Sequence, residues 1–138
     1  MTNLQAALGL AQMSRINEFI GRKIEIASLY EKLLKPLMPD VVLQPTASWA
    51  KNVFWMYSIL IPGRGKKNRD FLIKELRKNK IDSRPFFFPI HATPRYKTGE
   101  KLSNAEYLGH TGMNLPSSTN LEANKIEYIC KKITEILK

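Results

Sequence analysis

The stretch NVFWMYSILI, residues 52–61, is strand-like and decides the expected fold of this 138-residue chain. Aromatic and β-branched residues dominate it, and Pro62 and Gly63 follow directly, which predicts a buried β-strand that ends before this pair. Alternation would place Trp55 and Tyr57 on one face, and the opposite face is equally apolar. We therefore expect both faces to be buried in the core, with a ligand stacked on Trp55 as the alternative.

The segments around this strand predict a small α+β domain. Apolar residues recur at near-helical spacing from residue 3 to residue 37, which predicts one long N-terminal helix capped by Thr2. After a turn over 63–67, the remaining predicted elements are a helix to residue 79, a strand over 81–87, a short helix over 104–111, a strand over 113–117 and a helix over 121–137. We expect a small three-stranded, mainly antiparallel sheet with helices on one face. Residues 1–38 would be a long connecting helix and residues 39–138 a small C-terminal α+β domain, in one structural unit.

The chain is strongly basic, with 22 Lys and Arg against 12 Asp and Glu and a formal net charge of +10. Such a balance favours polyanionic partners. One hypothesis is therefore a nucleic-acid-binding module that uses Lys66, Lys67, Arg69, Arg77 and Lys78. The lysines are spread along the chain, however, which is typical of a solvated surface, and we do not expect a nucleic-acid partner.

The sequence contains no complete catalytic or metal-binding constellation. Neither His91 nor His110 has a carboxylate at a fixed short spacing, so neither a metal pair nor a triad is predicted. The single cysteine, Cys130, excludes an internal disulfide and a cysteine-based zinc site. No apolar run approaches the ~20 residues of a membrane helix, and the first residues lack a signal-peptide pattern. We expect no membrane partner and a cytoplasmic protein.

The stretch SRPFFFPIH, residues 83–91, has two interpretations. Arg84 carries a planar set of donors suited to a carboxylate or a phosphate. The three phenylalanines alternate faces on a strand, so at least one points away from the core. The stretch is then either a strand end whose aromatic rings pack under the next loop, or the wall of a pocket that includes His91. Composition alone favours the strand end.

Four ordered blocks of the sequence resemble a known family. They are MTNLQAALGLAQM (1–13), VFWMYSILI (53–61), IDSRPFFFPIHATPRY (81–96) and GMNLPSSTNL (112–121). In this order and at these spacings, they resemble the C-terminal part of the pyridoxal-phosphate-dependent nucleotide-sugar aminotransferases of the DegT/StrS type. Two of the blocks most resemble the perosamine synthetase branch, which aminates the 4-keto carbon of GDP-4-keto-6-deoxymannose with glutamate as amino donor. The resemblance covers nearly the whole chain.

The resemblance implies both a fold and a site. The fold would be the small C-terminal domain of a fold-type I aminotransferase. Arg84, His91 and Tyr96 would form part of the wall of the nucleotide-sugar pocket, and Phe88 and Trp55 would stack on the base or the sugar. Arg84 would hold a phosphate or organise the strand, and His91 would hydrogen-bond the sugar or groups near the cofactor. The resemblance thus implies substrate-binding residues in this chain but no catalytic residue and no metal ligand.

The same resemblance implies that the complete enzyme needs more than this chain. In the family, the lysine that forms the Schiff base with pyridoxal phosphate, the aspartate that pairs with its ring nitrogen and most phosphate ligands lie upstream of the position of Met1. The segment YKTGEK (96–101) echoes the family's lysine region only superficially, because it lies far downstream and has no double glycine. We therefore expect that this chain alone binds no cofactor and catalyses no transamination.

Two positions depart from the family pattern. Lys80 stands where the family usually has a glycine between helix and strand, and we expect Asn79 to take the left-handed turn instead. Glu122 stands where the last helix usually has a serine or threonine cap. Neither departure argues against the fold.

The long helix predicts how the chain assembles. In complete family members it packs on both the cofactor domain and the small domain. We therefore predict an exposed apolar surface on the side of Leu4, Leu8 and Ala11, or a homodimer that covers it. The alternative function is a non-catalytic assembly partner that dimerises through this helix or docks on a full-length aminotransferase.

Overall fold

A computed structural model describes residues 1–63, 68–97 and 99–138. Within these ranges the chain forms five α-helices and four short strands, an α+β arrangement that confirms the predicted class. The predicted turn over 63–67 lies almost entirely outside the described residues, as do Lys66 and Lys67. Among the described residues, no helix is long and apolar enough to cross a membrane.

The N-terminal segment is two helices, so the prediction of one long helix is wrong. Helix α1 spans Asn3–Met13 and α2 spans Ile16–Leu34, followed by a 3-10 turn over Lys35–Leu37. At the junction the hydroxyl of Ser14 donates to the carbonyl of Ala11 at 2.9 Å, an interaction that competes with helix continuation. The apolar repeat runs through the junction, which is why the break is not visible in the pattern.

The predicted cap of the first helix is confirmed. The amide of Gln5 donates to Oγ1 of Thr2 at 3.3 Å, and the amide of Thr2 donates to Oε1 of Gln5 at 2.8 Å, a reciprocal capping box. All the residues of α1 are nevertheless exposed, including Leu4, Leu8 and Ala11. The predicted exposed apolar surface is therefore present on this helix.

The sheet has four antiparallel strands in the order β1-β2-β4-β3, rather than the three expected. The strands are β1 (Val42–Leu43), β2 (Tyr57–Leu60), β3 (Arg84–Pro85) and β4 (Gly112–Leu115). The unexpected strand, β1, pairs Val42 with Leu60 and Leu43 with Ile59. Two residues are too few to show a period of two, so this strand had no signal in the sequence.

Strand β2 is shorter than the predicted strand, and its first half is not buried on both faces as expected. Phe54 has φ of 46°, in the left-handed region that bulky residues rarely adopt. Its amide donates to Oδ1 of Asn52 at 2.9 Å, which fixes the turn. Because of this turn the chain is not extended before Tyr57, and the side chain of Trp55 is 72% exposed.

Three further helices follow β2. They are α3 (Arg69–Lys78), α4 (Ser103–Thr111) and α5 (Ala123–Leu137). Asn68 caps α3 as predicted, with its Oδ1 accepting from the amide of Phe71 at 2.8 Å. Between α3 and β3, the left-handed residue is Lys80, with φ of 61°, and not Asn79 as expected. Lys80 therefore adopts a left-handed backbone conformation that a glycine would adopt more readily.

The core lies between one face of the sheet and helices α2, α3 and α5, which all contribute buried side chains. In β2, buried Tyr57 and Ile59 alternate with half-buried Ser58 and Leu60, as expected for a strand with one core face. The rings of Tyr30 and Tyr57 stack at 4.7 Å between centroids, joining α2 to the sheet. Helix α4 contributes no buried residue and contacts β3 and β4 instead.

Candidate functional site

The segment between β3 and α4 forms an open hollow that contains two of the predicted site residues. Its volume is about 620 Å³, and we call it the His91 hollow. It is lined by residues that include Pro89, His91, Arg95, Tyr96, Lys97 and Ala105. The two short 3-10 turns Ile90–Ala92 and Pro94–Tyr96 place His91 and Tyr96 on the same hollow. Prolines at positions 89 and 94 fix the local backbone and favour these turns.

His91 is held firmly at the edge of this hollow. Its side chain is only 12% exposed, and its Nε2 lies 3.1 Å from Oε1 of Glu106 on α4. The hydrogen bond with His91 lowers the pKa of Glu106. Tyr96, in contrast, is 57% exposed. The hollow thus has one fixed wall and one aromatic wall that is open to a ligand.

Two of the three consecutive phenylalanines are exposed, as expected for at least one, but they do not alternate, because β3 ends at Pro85. Phe86 is half-buried, whereas Phe87 and Phe88 are 81% and 63% exposed. Phe86 and Phe87 line a second, neighbouring hollow of about 330 Å³, which shares Pro89 and Ala105 with the first. Phe88 lines neither hollow. Exposed rings of this size are typical of surfaces that meet a ligand or another part of a protein.

Arg84 lies on the face of the sheet that the core helices do not cover. It pairs directly with Asn114 of β4, which in turn pairs with Ser58 of β2, so the three side chains share that face. Ser58 donates to Oδ1 of Asn114 at 2.8 Å. Arg84 itself is exposed, and among the described residues its guanidinium pairs with the exposed carboxylate of Asp82 at 3.3 Å. Such a solvent-exposed pair is weak, so an anionic ligand can compete with Asp82 for the guanidinium.

Trp55 is presented outward at the end of the β2–β4 ladder, apart from the His91 hollow. Lys23 of α2 fixes its backbone, because Nζ donates to the carbonyls of Trp55 at 2.9 Å and of Ser117 at 2.5 Å. Burial lowers the pKa of Lys23. The preceding residue, Phe54, turns its ring towards Tyr57, at 6.3 Å between centroids. The indole is therefore exposed while its backbone is anchored.

Two of the three described cations of the nucleic-acid hypothesis, Arg69 and Lys78, are paired within the domain. Arg69 is 9% exposed, and its guanidinium donates to the carbonyls of Gly109 at 2.6 Å and Gly112 at 3.2 Å. Lys78 lies 2.6 Å from a carboxylate oxygen of Glu75. Of the five proposed cations, Lys66 and Lys67 lie outside the described residues, Arg69 and Lys78 are engaged, and Arg77 is exposed. Within the described ranges, no group of three or more His, Cys, Asp or Glu is placed to hold a metal ion.

The sequence matches the DegT/DnrJ/EryC1/StrS aminotransferase family over residues 1–134. The chain belongs to this family. It is 39% identical over 136 residues to GDP-perosamine synthase of Escherichia coli O157:H7, covering 98% of this chain and 36% of that protein. It is 37% identical over 138 residues to GDP-perosamine synthase of Vibrio cholerae, covering 96% of this chain and 36% of that protein. The chain thus spans about a third of the length of these curated relatives.

Solved structures of aminotransferases share the fold of this family member. The S. venezuelae protein DesV, in complex with a ketimine intermediate, superposes with a TM-score of 0.87 at 22% identity over 97% of this chain and 36% of DesV. The Helicobacter pylori aminotransferase involved in the biosynthesis of pseudoaminic acid gives 0.86 at 22% identity, over 96% of this chain and 36% of its own. At this identity the similarity establishes the fold.

The family depends on pyridoxal phosphate, and the two half-buried lysines that the structure describes are both engaged within the domain. A Schiff-base lysine needs a nitrogen free to attack a carbonyl. Among the described lysines, only Lys23 and Lys132 are half-buried, and the others are exposed. Lys23 is bound to two carbonyls, and Lys132 lies 2.7 Å from Oε2 of Glu135. Neither Lys23 nor Lys132 therefore has a free nitrogen for a Schiff base.

Three functional contacts were absent from the sequence-based prediction. Glu106 is fifteen residues from His91, Lys23 is thirty-two from Trp55, and Arg69 is forty from Gly109. A search for carboxylates near a histidine in the sequence does not find the contact between Glu106 and His91. The only signal for Glu106 is its position on a predicted helix that follows the histidine loop.

Proposed function

We propose that residues 1–138 form the C-terminal, substrate-proximal portion of a nucleotide-sugar aminotransferase of the GDP-perosamine synthase type, which aminates a 4-keto-6-deoxy sugar. The observation that carries the proposal is the similarity over nearly the whole chain to three GDP-perosamine synthases, at 39%, 34% and 37% identity. Other members of the family act on dTDP-linked sugars, as their names state, and match at lower identity.

The proposed organisation divides the chain at its first proline-rich turn. Residues 1–38 would connect the cofactor-binding portion of the enzyme to residues 39–138, the small C-terminal domain. Support comes from the exposure of every residue in α1, because a helix with Leu4 and Leu8 at 72% and 61% exposure needs a partner surface. The complete enzyme would be a cytoplasmic homodimer.

We propose that the sugar end of the nucleotide-sugar binds in the His91 hollow. His91 would hydrogen-bond a sugar hydroxyl, and the exposed ring of Tyr96 would pack on the sugar. Arg84 would hold a phosphate of the diphosphate, for which a planar guanidinium is suited. Phe88 and Trp55, both exposed, would contact the base or cover the site.

We also propose that these 138 residues alone do not catalyse amination. Pyridoxal phosphate supplies the electron sink of the reaction when it is bound, and its anchoring lysine would come from the portion of the enzyme that this chain does not span. The test is an absorbance scan of the purified chain with pyridoxal phosphate, glutamate and GDP-4-keto-6-deoxymannose. We expect neither a stable aldimine band nor an amino-sugar product. Turnover of the keto-sugar by the chain alone would refute this part of the proposal.

The second candidate function is assembly through α1, which the exposed apolar surface of that helix favours. Sedimentation of the 138-residue chain with and without a full-length GDP-perosamine synthase distinguishes the two. A complex that forms with the full-length enzyme and is lost in the double variant Leu4→Gln, Leu8→Gln would support a non-catalytic docking role. A monomeric chain that leaves the enzyme unaffected would contradict it.

A further inference from the structure

The contact between His91 and Glu106 ties the wall of the His91 hollow to α4. His91 lines the hollow, whereas its hydrogen-bond partner Glu106 does not. The ring is 12% exposed, whereas the carboxylate side chain is 42% exposed. His91 is thus held by a hydrogen bond to Glu106, whose side chain remains partly accessible to solvent.

The chemistry of this contact determines what the other ring nitrogen does. An ionised carboxylate only accepts hydrogen bonds, so Nε2 at 3.1 Å has to carry the proton and donate it. The pKa of Glu106 is lowered by this same hydrogen bond, which keeps the carboxylate ionised at neutral pH. In a neutral imidazole with a protonated Nε2, Nδ1 is an acceptor. No described residue hydrogen-bonds Nδ1.

The His91 hollow has one carboxylate, Glu100, and that side chain is exposed. The other polar side chains that line it include Arg95 and Lys97, which are donors only, and Tyr96, which is exposed. A ligand rich in hydroxyl groups needs acceptors as well as donors. The free nitrogen of His91 provides one on the buried wall.

We propose that Glu106 is a positioning residue that holds His91 with Nε2 protonated, so that Nδ1 accepts a hydrogen bond from a sugar hydroxyl in the His91 hollow. The inference rests on the proposed function, since the sugar is the ligand it assigns to this hollow. It adds that Nδ1 of His91 accepts a hydrogen bond from the sugar and does not donate one. It also assigns a role to a glutamate fifteen residues away.

The inference can be tested in the 138-residue chain, because His91 and His110 are its only histidines. Nitrogen-15 spectra of the histidine rings at pH 8.5 report which nitrogen carries the proton, and the variant His110→Gln assigns the signals. We expect a protected Nε2 proton on His91 that is lost in Glu106→Ala and weakened in Glu106→Gln. Glu127→Gln, an exposed glutamate on α5, is the matched control and should change neither ring. A His91 spectrum that is identical in the wild type and in Glu106→Gln and Glu106→Ala would overturn the inference.

A kinetic test separates positioning from simple support of the fold. In a complete aminotransferase that carries this chain, Glu106→Ala should raise KM for the nucleotide-sugar about tenfold, as expected for the loss of one hydrogen bond, and Glu106→Gln should raise it less. KM for the amino donor should stay unchanged, because glutamate has no hydroxyl group to donate to Nδ1. An equal change in both constants, or none in either, would contradict a positioning role. Failure of the wild-type complete enzyme to aminate any nucleotide-sugar would instead refute the proposed function, and the ring spectra would still test the His91–Glu106 pair.

Discussion

At the scale of single residues, two stacked tyrosines offer a matched comparison. The hydroxyl of Tyr30 donates to the carbonyl of Pro116 at 2.8 Å, whereas the hydroxyl of Tyr57 is buried without a hydrogen-bond partner in the described structure. Tyr30→Phe should lower the free energy of unfolding by about 1 kcal/mol, because it leaves a carbonyl unpaired. Tyr57→Phe should leave the free energy of unfolding unchanged or raise it, because it removes a buried hydroxyl that makes no hydrogen bond. Urea unfolding measures both, and a larger loss for Tyr57→Phe than for Tyr30→Phe would contradict the assignment.

Cys130 provides a second prediction at this scale. It is 3% exposed on α5, and burial raises the pKa of its thiol to about 12. Because the thiolate is the reactive form, the thiol should stay protonated at pH 8 and react slowly with a disulfide reagent. The same protein unfolded in guanidinium should react at the rate of a free cysteine. Rapid reaction of the folded chain would show that α5 is not packed as described.

At the scale of elements, the junction of α4 and β4 depends on a glycine. A Cβ at Gly112 would lie 2.6 Å from the carbonyl oxygen of Leu108 and would also overlap the ring of Phe86. Gly112→Ala should therefore destabilise the fold by about 1–3 kcal/mol. Gly21→Ala is the control, because its Cβ meets nothing within 4 Å and alanine favours the interior of α2 by about 0.5–1 kcal/mol. Equal stability of the two variants in thermal unfolding would contradict this packing.

Elements with a sustained pattern could be predicted from the sequence, and those fixed by tertiary contacts could not. The amphipathic α5 and the capped α3 follow from their periods and from Asn68. Strand β1 has two residues, and the break at Ser14 interrupts no apolar repeat. The outward turn of Trp55 depends on the positive φ of Phe54, which no propensity favours. Arg69 was assigned to a basic surface because the carbonyls it binds, at 109 and 112, are distant in sequence.

The candidate site shows the same division. The residues of SRPFFFPIH and the nearby Tyr96 were found from the resemblance of whole blocks to a family. Their geometry was not, because it depends on α4, which brings Glu106 to His91. The sequence pattern alone favoured a strand end with packed rings, and Phe87 and Phe88 are instead exposed. An exposed aromatic surface marks a place where a protein meets a ligand or another part of a protein.

At the scale of the whole molecule, the central claim is that this chain supplies the sugar-proximal part of an aminotransferase whose cofactor-binding part is elsewhere. The most direct test is a chimera in which residues 1–138 replace the matching 36% of GDP-perosamine synthase of Escherichia coli O157:H7. The remaining portion of that enzyme, expressed alone, is the control. With GDP-4-keto-6-deoxymannose and glutamate, we predict that the chimera forms the 4-amino sugar, detected by mass spectrometry, and that neither part does so alone. A folded chimera that binds pyridoxal phosphate and accepts glutamate but leaves the keto-sugar unchanged would contradict the account.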